Sequence, residues 1–373
     1  MPRLRKEGVD EKMTEEKMTE EKVFASEATD DEVGVEKSLR PERLEEFIGQ
    51  SRVVDNLRIA IDTAKVRGEV LDHVLLSGMP GLGKTTLATL IRGELDVDLH
   101  TTSGPVLEKG KDVVGLLTRL RRGDVLFIDE IHRMSRETEE YLYSAMEDFR
   151  VDVVLDRGPD ARSFRMSVEP FTLVGATTRE GLLSDPFRSR FEIAEKLELY
   201  PSSELREIVL RSAGLIGCSM ASDAADLLAC RCRGTPRYAN RFLRRIRDVA
   251  QYRGGWNGDG RLPLEVDDVM AGLDRLGIDE HGLDRVDRKI IGILLQNEEP
   301  VGLKTLAVSI GEAERTIEDV YEPYLIQRSL LVRTSRGRRA SSKAEEIYGG
   351  RSGARSGNAS RGDGLQQREF GIS

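Results

Sequence analysis

Eight residues, Gly78-Met79-Pro80-Gly81-Leu82-Gly83-Lys84-Thr85, set three glycines, a lysine and a threonine in the spacing G-x-x-x-x-G-K-T. They follow the apolar run His73 to Leu76 and open a helical pattern. Glycines let a backbone turn tightly enough that successive N–H groups and the first turn of a helix point at one anion. The chemistry this serves is phosphate binding. Lys84 supplies a cation to the β- and γ-phosphates and Thr85 a hydroxyl to Mg2+, while Gly81, Gly83 and Thr86 belong to the same turn. ATP and Mg2+ are therefore the expected nucleotide and metal.

Forty-five residues beyond Lys84, the apolar run Val125 to Ile128 ends in Asp129-Glu130. A buried strand carrying two acids at its carboxyl end puts them where open α/β sheets bind ligands. Asp129 suits the Mg2+ shell, and Glu130 can polarise a water for in-line attack on the γ-phosphate. A further run, Phe171 to Ala176, ends in Thr177-Thr178, where a hydroxyl, with Thr177 as the candidate, would hold that water. Arg188 and Arg190, and Arg237 in Gly234-Thr235-Pro236-Arg237, are three arginines among many, and spacing alone does not single them out.

These residues need a scaffold. Continuous apolar runs alternating with helical patterns predict an α/β domain with a parallel sheet buried on both faces. After Pro201 the pattern turns to helices only, with Leu205, Ile208 and Val209, then Ala224, Leu227 and Leu228, then Phe242, Leu243 and Ile246 at helical spacing. Helices over Arg288–Gln296, Leu303–Ile310 and Glu314–Gln327 precede two short strands around Ser335-Arg336-Gly337-Arg338, the layout of a winged helix. The expected division is an acidic disordered leader at 1–38, a sheet domain at 39–200, a helical lid at 201–274, a winged-helix head at 275–348 and a flexible tail at 349–373.

The net charge of −9 is unevenly spread, with seven basic against twelve acidic residues in Met1 to Ser38 and nine against four in Leu330 to Ser373. A basic end can bind phosphate on an acidic protein. No apolar run approaches the roughly 18 residues that would cross a bilayer, and the N-terminus lacks the layout of a secretory signal. A cytoplasmic protein without a membrane role is expected. Cys218, Cys230 and Cys232 suit neither a disulfide framework nor a zinc site, and are expected to be reduced core residues.

Leu39-Arg40-Pro41, Ile48-Gly49-Gln50, Thr102-Ser103-Gly104-Pro105-Val106-Leu107-Glu108-Lys109, Asp129-Glu130-Ile131-His132-Arg133, Ala145-Met146-Glu147-Asp148-Phe149, Gly175-Ala176-Thr177-Thr178-Arg179 and Gly234-Thr235-Pro236-Arg237 together resemble the RuvB family. These are AAA+ ATPases that drive Holliday-junction branch migration in DNA recombination, repair of DNA damage and the SOS response. The resemblance runs from about Leu39 to Tyr348. It implies that Leu39, Arg40 and Tyr200 line the adenine pocket, that Glu147, Asp148 and Phe149 stand near a neighbouring subunit's nucleotide, that Arg190 is an arginine finger acting in trans, and that Arg237 is the sensor on the lid. It implies a homo-hexamer around duplex DNA, a RuvA-type partner docked on the hairpin at 150–169, a RuvC-type resolvase as a further partner, and DNA contacts by Arg333 and Arg338.

Two departures stand out: Glu314-Arg315-Thr316 puts a DNA contact by Arg315 in doubt, and Met79 replaces the commoner proline, with little effect expected. A clamp-loader-like or helicase-loading ATPase, and a nucleotide-gated winged-helix regulator, are the competing readings.

Overall fold

The computed structural model describes residues 38–154, 163–254, 256, 258 and 260–352. The leader, the hairpin tip, part of the loop near Gly258 and the tail beyond 352 lie outside them.

Seven strands fall between Val74 and Lys196: β1 (Val74–Ser77), β2 (Leu99–Ser103), β3 (Val125–Asp129), β4 (Arg150–Val154), β5 (Ser163–Ser167), β6 (Thr172–Thr177) and β7 (Ile193–Lys196). Five form one parallel sheet in the order β2-β3-β6-β1-β7. Their side chains alternate between two cores, as strands covered on both faces must. Val74, Leu76, Phe127, Val174 and Ala176 face one, and Leu75, Leu126, Ile128 and Leu173 the other. Helices α1 (Ser51–Arg67) and α2 (Lys84–Leu95) cover the first face with Leu57, Ile61, Leu87 and Ile91. Helices α3 (Gly110–Leu117) and α4 (Arg136–Asp148) cover the second with Val113, Leu117, Leu142 and Ala145. The register pairs Ser77 with Thr177 and Ser103 with Asp129, which aligns the carboxyl ends of the central strands along one rim.

Beyond a short helix α5 (Asp185–Arg188), the lid is built from α6 (Ser202–Leu215), α7 (Ser222–Arg231), α8 (Pro236–Gly254) and α9 (Val266–Arg275). Its buried residues Val209, Leu228, Phe242 and Ile246 are continuous with the first core of the sheet domain. The expectation of helices only needs correcting. Strands β8 (Cys218–Met220) and β9 (Leu262–Leu264) pair in parallel within the lid. Runs of three residues are too short to show a strand period. Cys218 and Cys232 are buried there, whereas Cys230 is exposed.

The third unit has its own core, including Ile290, Leu294, Leu306, Ile317, Leu325 and Leu331. Helices α10 (Arg285–Leu295) and α11 (Leu303–Ile310) precede a helical stretch in three parts. Helix α12 (Glu314–Thr316) passes into a π-helical turn, Ile317–Tyr321, and then into α13 (Glu322–Gln327). A hairpin of β10 (Leu331–Thr334) and β11 (Gly337–Ala340) forms the wing. A final helix, α14 (Ser342–Ser352), runs four residues into the segment expected to be tail.

Candidate active site

Gly78, Gly81 and Gly83 carry the chain from β1 into α2 at φ of 137°, 81° and 103°. A Cβ on Gly81 would lie 2.8 Å from the Cβ of Arg237, and one on Gly83 would lie 3.0 Å from the Phe47 ring. The loop is therefore restricted to glycine on steric as well as conformational grounds. It ends on the first N–H groups of a helix, which have no intrahelical partners and suit an anion.

Lys84 is buried at the head of α2, and its Nζ donates to the carbonyl oxygens of Gly78 and Met79, each at 2.8 Å. Burial lowers its pKa from 10.5 to about 8, opposed by the charge of Asp129 and reinforced by Arg237. Asp129 closes β3 and accepts the Glu130 backbone N–H at 2.9 Å. Glu130 sits in the left-handed region at φ 47°, a conformation uncommon for non-glycine residues. Its carboxylate pairs with Arg133 at 2.5 Å.

One cleft of about 340 Å3 gathers Gly81, Gly83, Lys84, Thr85, Thr86, Asp129 and Glu130 with Leu39, Arg40 and Tyr200 from one side and Arg237 from the lid. That volume is within the range of small-molecule sites. Tyr200 is buried, and its hydroxyl donates to the Leu82 carbonyl at 3.2 Å. A buried lysine, a helix start, a hydroxyl and two carboxylates form a donor set that fits a magnesium-bound triphosphate.

The threonine pair divides differently from expectation. Thr177 is buried, its hydroxyl paired with His132 Nδ1 at 3.0 Å and accepting the Arg179 backbone N–H at 3.0 Å. Thr178 is exposed and lines the cleft. Thr177 thus buttresses the rim while Thr178 faces the cleft.

Arg190 lies outside the cleft lining. It pairs with Glu147 at 2.7 Å, donates to the Tyr143 hydroxyl at 2.5 Å and stacks 4.8 Å over that ring. Glu147 and Asp148 are exposed on the last turn of α4, which Phe149 closes at φ 50° with its ring edge-on to Phe171. Arg190 and Glu147 thus share a surface of which no part contributes to the chain's own cleft. Arg188 is paired with Asp185 at 3.1 Å.

In the wing, Arg333 and Arg338 are cross-strand partners. Both converge on buried Glu322, with Arg333 Nε and Arg338 Nε each 2.6 Å from its oxygens. Arg338 is only 13% exposed, against 49% for Arg333. Arg336 and Arg339 are exposed. Arg315 pairs with Asp319 at 3.2 Å and lines a cavity between the sheet and winged units with His132, Arg133 and Arg179.

The sequence aligns along its described length with one family. Residues 39–197 match the family described as Holliday junction DNA helicase RuvB P-loop domain, 200–279 the RuvB AAA lid domain, and 280–349 the RuvB C-terminal winged helix domain. The chain belongs to the RuvB family. Curated relatives named Holliday junction branch migration complex subunit RuvB include that of Prosthecochloris aestuarii, 55% identical over 83% of this chain and 89% of the relative. That of Chlorobium phaeobacteroides is 52% identical over 87% and 93%. A solved structure of Thermotoga maritima RuvB, described as a Holliday junction branch migration motor, is 48% identical with a TM-score of 0.74, covering 83% of this chain and 97% of that one.

A RuvB-family chain thus combines a P-loop AAA+ domain and a lid, which together line this cleft, with a winged helix. Motif spacing missed several contributors. Met79 packs half-buried against both the first core and the winged unit, so its side chain has a contact that the backbone argument overlooked. His132 holds Thr177, and burial lowers its pKa against the opposing charge of Glu130, favouring the neutral ring. Within the hairpin, Val151 is buried and Met166 packs on the second core, while Phe164 is 59% exposed. Among the described residues no helix is long and apolar enough to cross a membrane.

Proposed function

We propose that this chain hydrolyses ATP to drive branch migration of Holliday junctions, as a homo-hexameric ring with a RuvA-type junction-binding protein, in the cytoplasm. The observation that carries the reading is the separation of Arg190 and Glu147 from a cleft already furnished with Lys84, Asp129, Glu130 and Arg237. A site with phosphate ligands, an activating carboxylate and a lid cation, whose remaining arginine faces outward, calls for a neighbour to complete it.

Within the cleft, Lys84 and Arg237 hold phosphate charge, and Thr85 and Asp129 hold Mg2+, which offsets that charge when bound. Glu130 takes a proton from the attacking water and Thr178 orients it. Leu39, Arg40 and Tyr200 form the adenine wall. Arg190, presented beside Glu147, Asp148 and Phe149, reaches the adjoining subunit's γ-phosphate. Exposed Phe164 gives the hairpin an apolar contact for the junction-binding partner, with a RuvC-type resolvase on the same assembly.

DNA contact is assigned to the wing. Arg333, Arg336 and Arg339 are exposed for phosphate, and Arg338 reaches it by exchanging a carboxylate. The helical stretch Glu314 to Gln327 occupies the place of a reading helix, yet Glu318, Asp319 and Glu322 line one of its faces. Three acids there suit backbone binding at the wing better than reading of an operator. The experiment is ATP-dependent migration of a synthetic four-way junction with the partner supplied. A static junction alongside ATP-dependent loading of a sliding clamp would transfer the chain to the clamp-loader reading.

A further inference from the structure

Two residues next to the lining of the nucleotide cleft, one beside Pro80 and one beside Thr178, touch the winged unit. Met79, in the glycine loop, packs against its core. Arg179, next to Thr178, pairs with Asp319 and lies 3.8 Å from Glu318. The backbone N–H of Arg179 donates to Thr177, and Thr177 pairs with His132, two residues beyond Glu130. A line of direct contacts therefore runs from the strand ends that carry Asp129 and Thr177 to the π-helical turn of the winged unit. Register shifts of that kind recur at functional sites.

The carboxylates on that turn are shared. Glu318 lies 3.0 Å from Arg338 and 3.3 Å from Arg333, while Asp319 also takes Arg315 at 3.2 Å. A carboxylate divided among several guanidinium groups is partly released when a phosphate draws some of them away, and its remaining partner then holds it more strongly. For Glu318, the partner that remains when DNA engages Arg333 and Arg338 is Arg179.

We propose that Arg179 is a positioning residue coupling DNA engagement at the wing to ATP hydrolysis in the cleft, through the shared carboxylates of Glu318 and Asp319. The inference rests on the hydrolysis and wing contact proposed above. When phosphate takes the wing arginines, Glu318 closes on Arg179, which fixes the segment after β6 and with it the adjacent Thr178. The coupling is reciprocal: a cleft that withdraws Arg179 returns Glu318 to Arg333 and Arg338 and weakens their hold on DNA.

The test compares ATP hydrolysis by the full chain, with and without random-sequence duplex DNA, in the wild type, Arg179→Gln, Arg179→Lys, Asp319→Asn and the exchanged pair Arg179→Asp with Asp319→Arg. In Arg179→Gln and Asp319→Asn the fold-stimulation by DNA is expected to drop about fivefold or more, the lower end of measured allosteric couplings. The DNA-free rate of Asp319→Asn should stay at the wild-type level, Arg179→Lys should recover most of the stimulation, and the exchanged pair, which sets an aspartate beside Glu318, should not. Undiminished stimulation in both single variants overturns the coupling. So does an equal loss of basal and stimulated rates, which marks a contact serving stability alone, and so does a wild type that hydrolyses ATP without responding to DNA. A wild type that hydrolyses no ATP instead removes the functional reading beneath it.

Discussion

The backbone N–H of Arg237 donates to the carbonyl oxygen of Gly81 at 3.4 Å, so the lid's long helix begins directly on the phosphate loop. Gly81 stands at φ 81° with Arg237 against it. Gly81→Ala therefore forces a side chain into a left-handed conformation and into the lid at once. ATP affinity, followed by titration with a fluorescent analogue, should fall at least about tenfold, or about 1.4 kcal/mol. An unchanged Kd in a variant with a wild-type melting temperature would show that the lid can retreat without loss.

Lys84 gives the cleft a pH dependence. Its folded pKa of about 8 lies well below 10.5, because burial disfavours the ammonium. A bound polyphosphate stabilises the ammonium and raises that pKa, so binding above pH 8 must take up a proton. Affinity for ATP should be flat below about pH 7.5 and then weaken by up to about tenfold per pH unit as pH rises through 8. Calorimetry in buffers of different ionisation enthalpy measures the uptake directly. Binding without net proton uptake at pH 9 would contradict the assignment.

Glu130→Gln should bind ATP with near-wild-type affinity and lose hydrolysis by about 100-fold or more, the usual scale of a general base. Lys84→Ala should lose binding itself. Mixing Lys84→Ala with Arg190→Ala subunits should restore some turnover, since a Lys84→Ala subunit can lend its arginine to a neighbour's intact cleft. No rescue at any ratio would argue against a shared site.

The wing arginines should separate by burial. Arg338→Ala removes a partner from fully buried Glu322 and should destabilise the winged unit by about 2 kcal/mol, read from denaturant unfolding. Arg336→Ala, at an exposed position, should leave stability alone and lower the slope of log affinity for DNA against log salt by about 1. Equal effects of both variants on stability would mean that Glu322 does not depend on Arg338.

The phosphate loop and the Asp129-Glu130 pair are legible in the sequence because their chemistry is local: consecutive residues make one turn, and a strand end carries two acids. Alternating cores in β1, β3 and β6 likewise follow from short apolar runs. Orientation at a strand end is not local, which is why Thr177 and Thr178 exchange places between expectation and structure. Arg179 and Asp319 stand 140 residues apart, and no period or motif joins them. The pairing of β8 with β9 links segments over 40 residues apart, each too brief to signal itself. Met79 is read from the sequence as a backbone position because part of its side-chain contact comes from another domain.

In the stretch from Glu314 to Gln327, Glu318, Asp319 and Glu322 are engaged by Arg179, Arg333 and Arg338. With duplex gripped through the wing, as proposed above, the protein has no favourite sequence on which to dwell. Every base pair then passes at nearly the same cost, so progress along DNA of arbitrary composition should be smooth, with pauses set by the nucleotide cycle and not by the text of the genome.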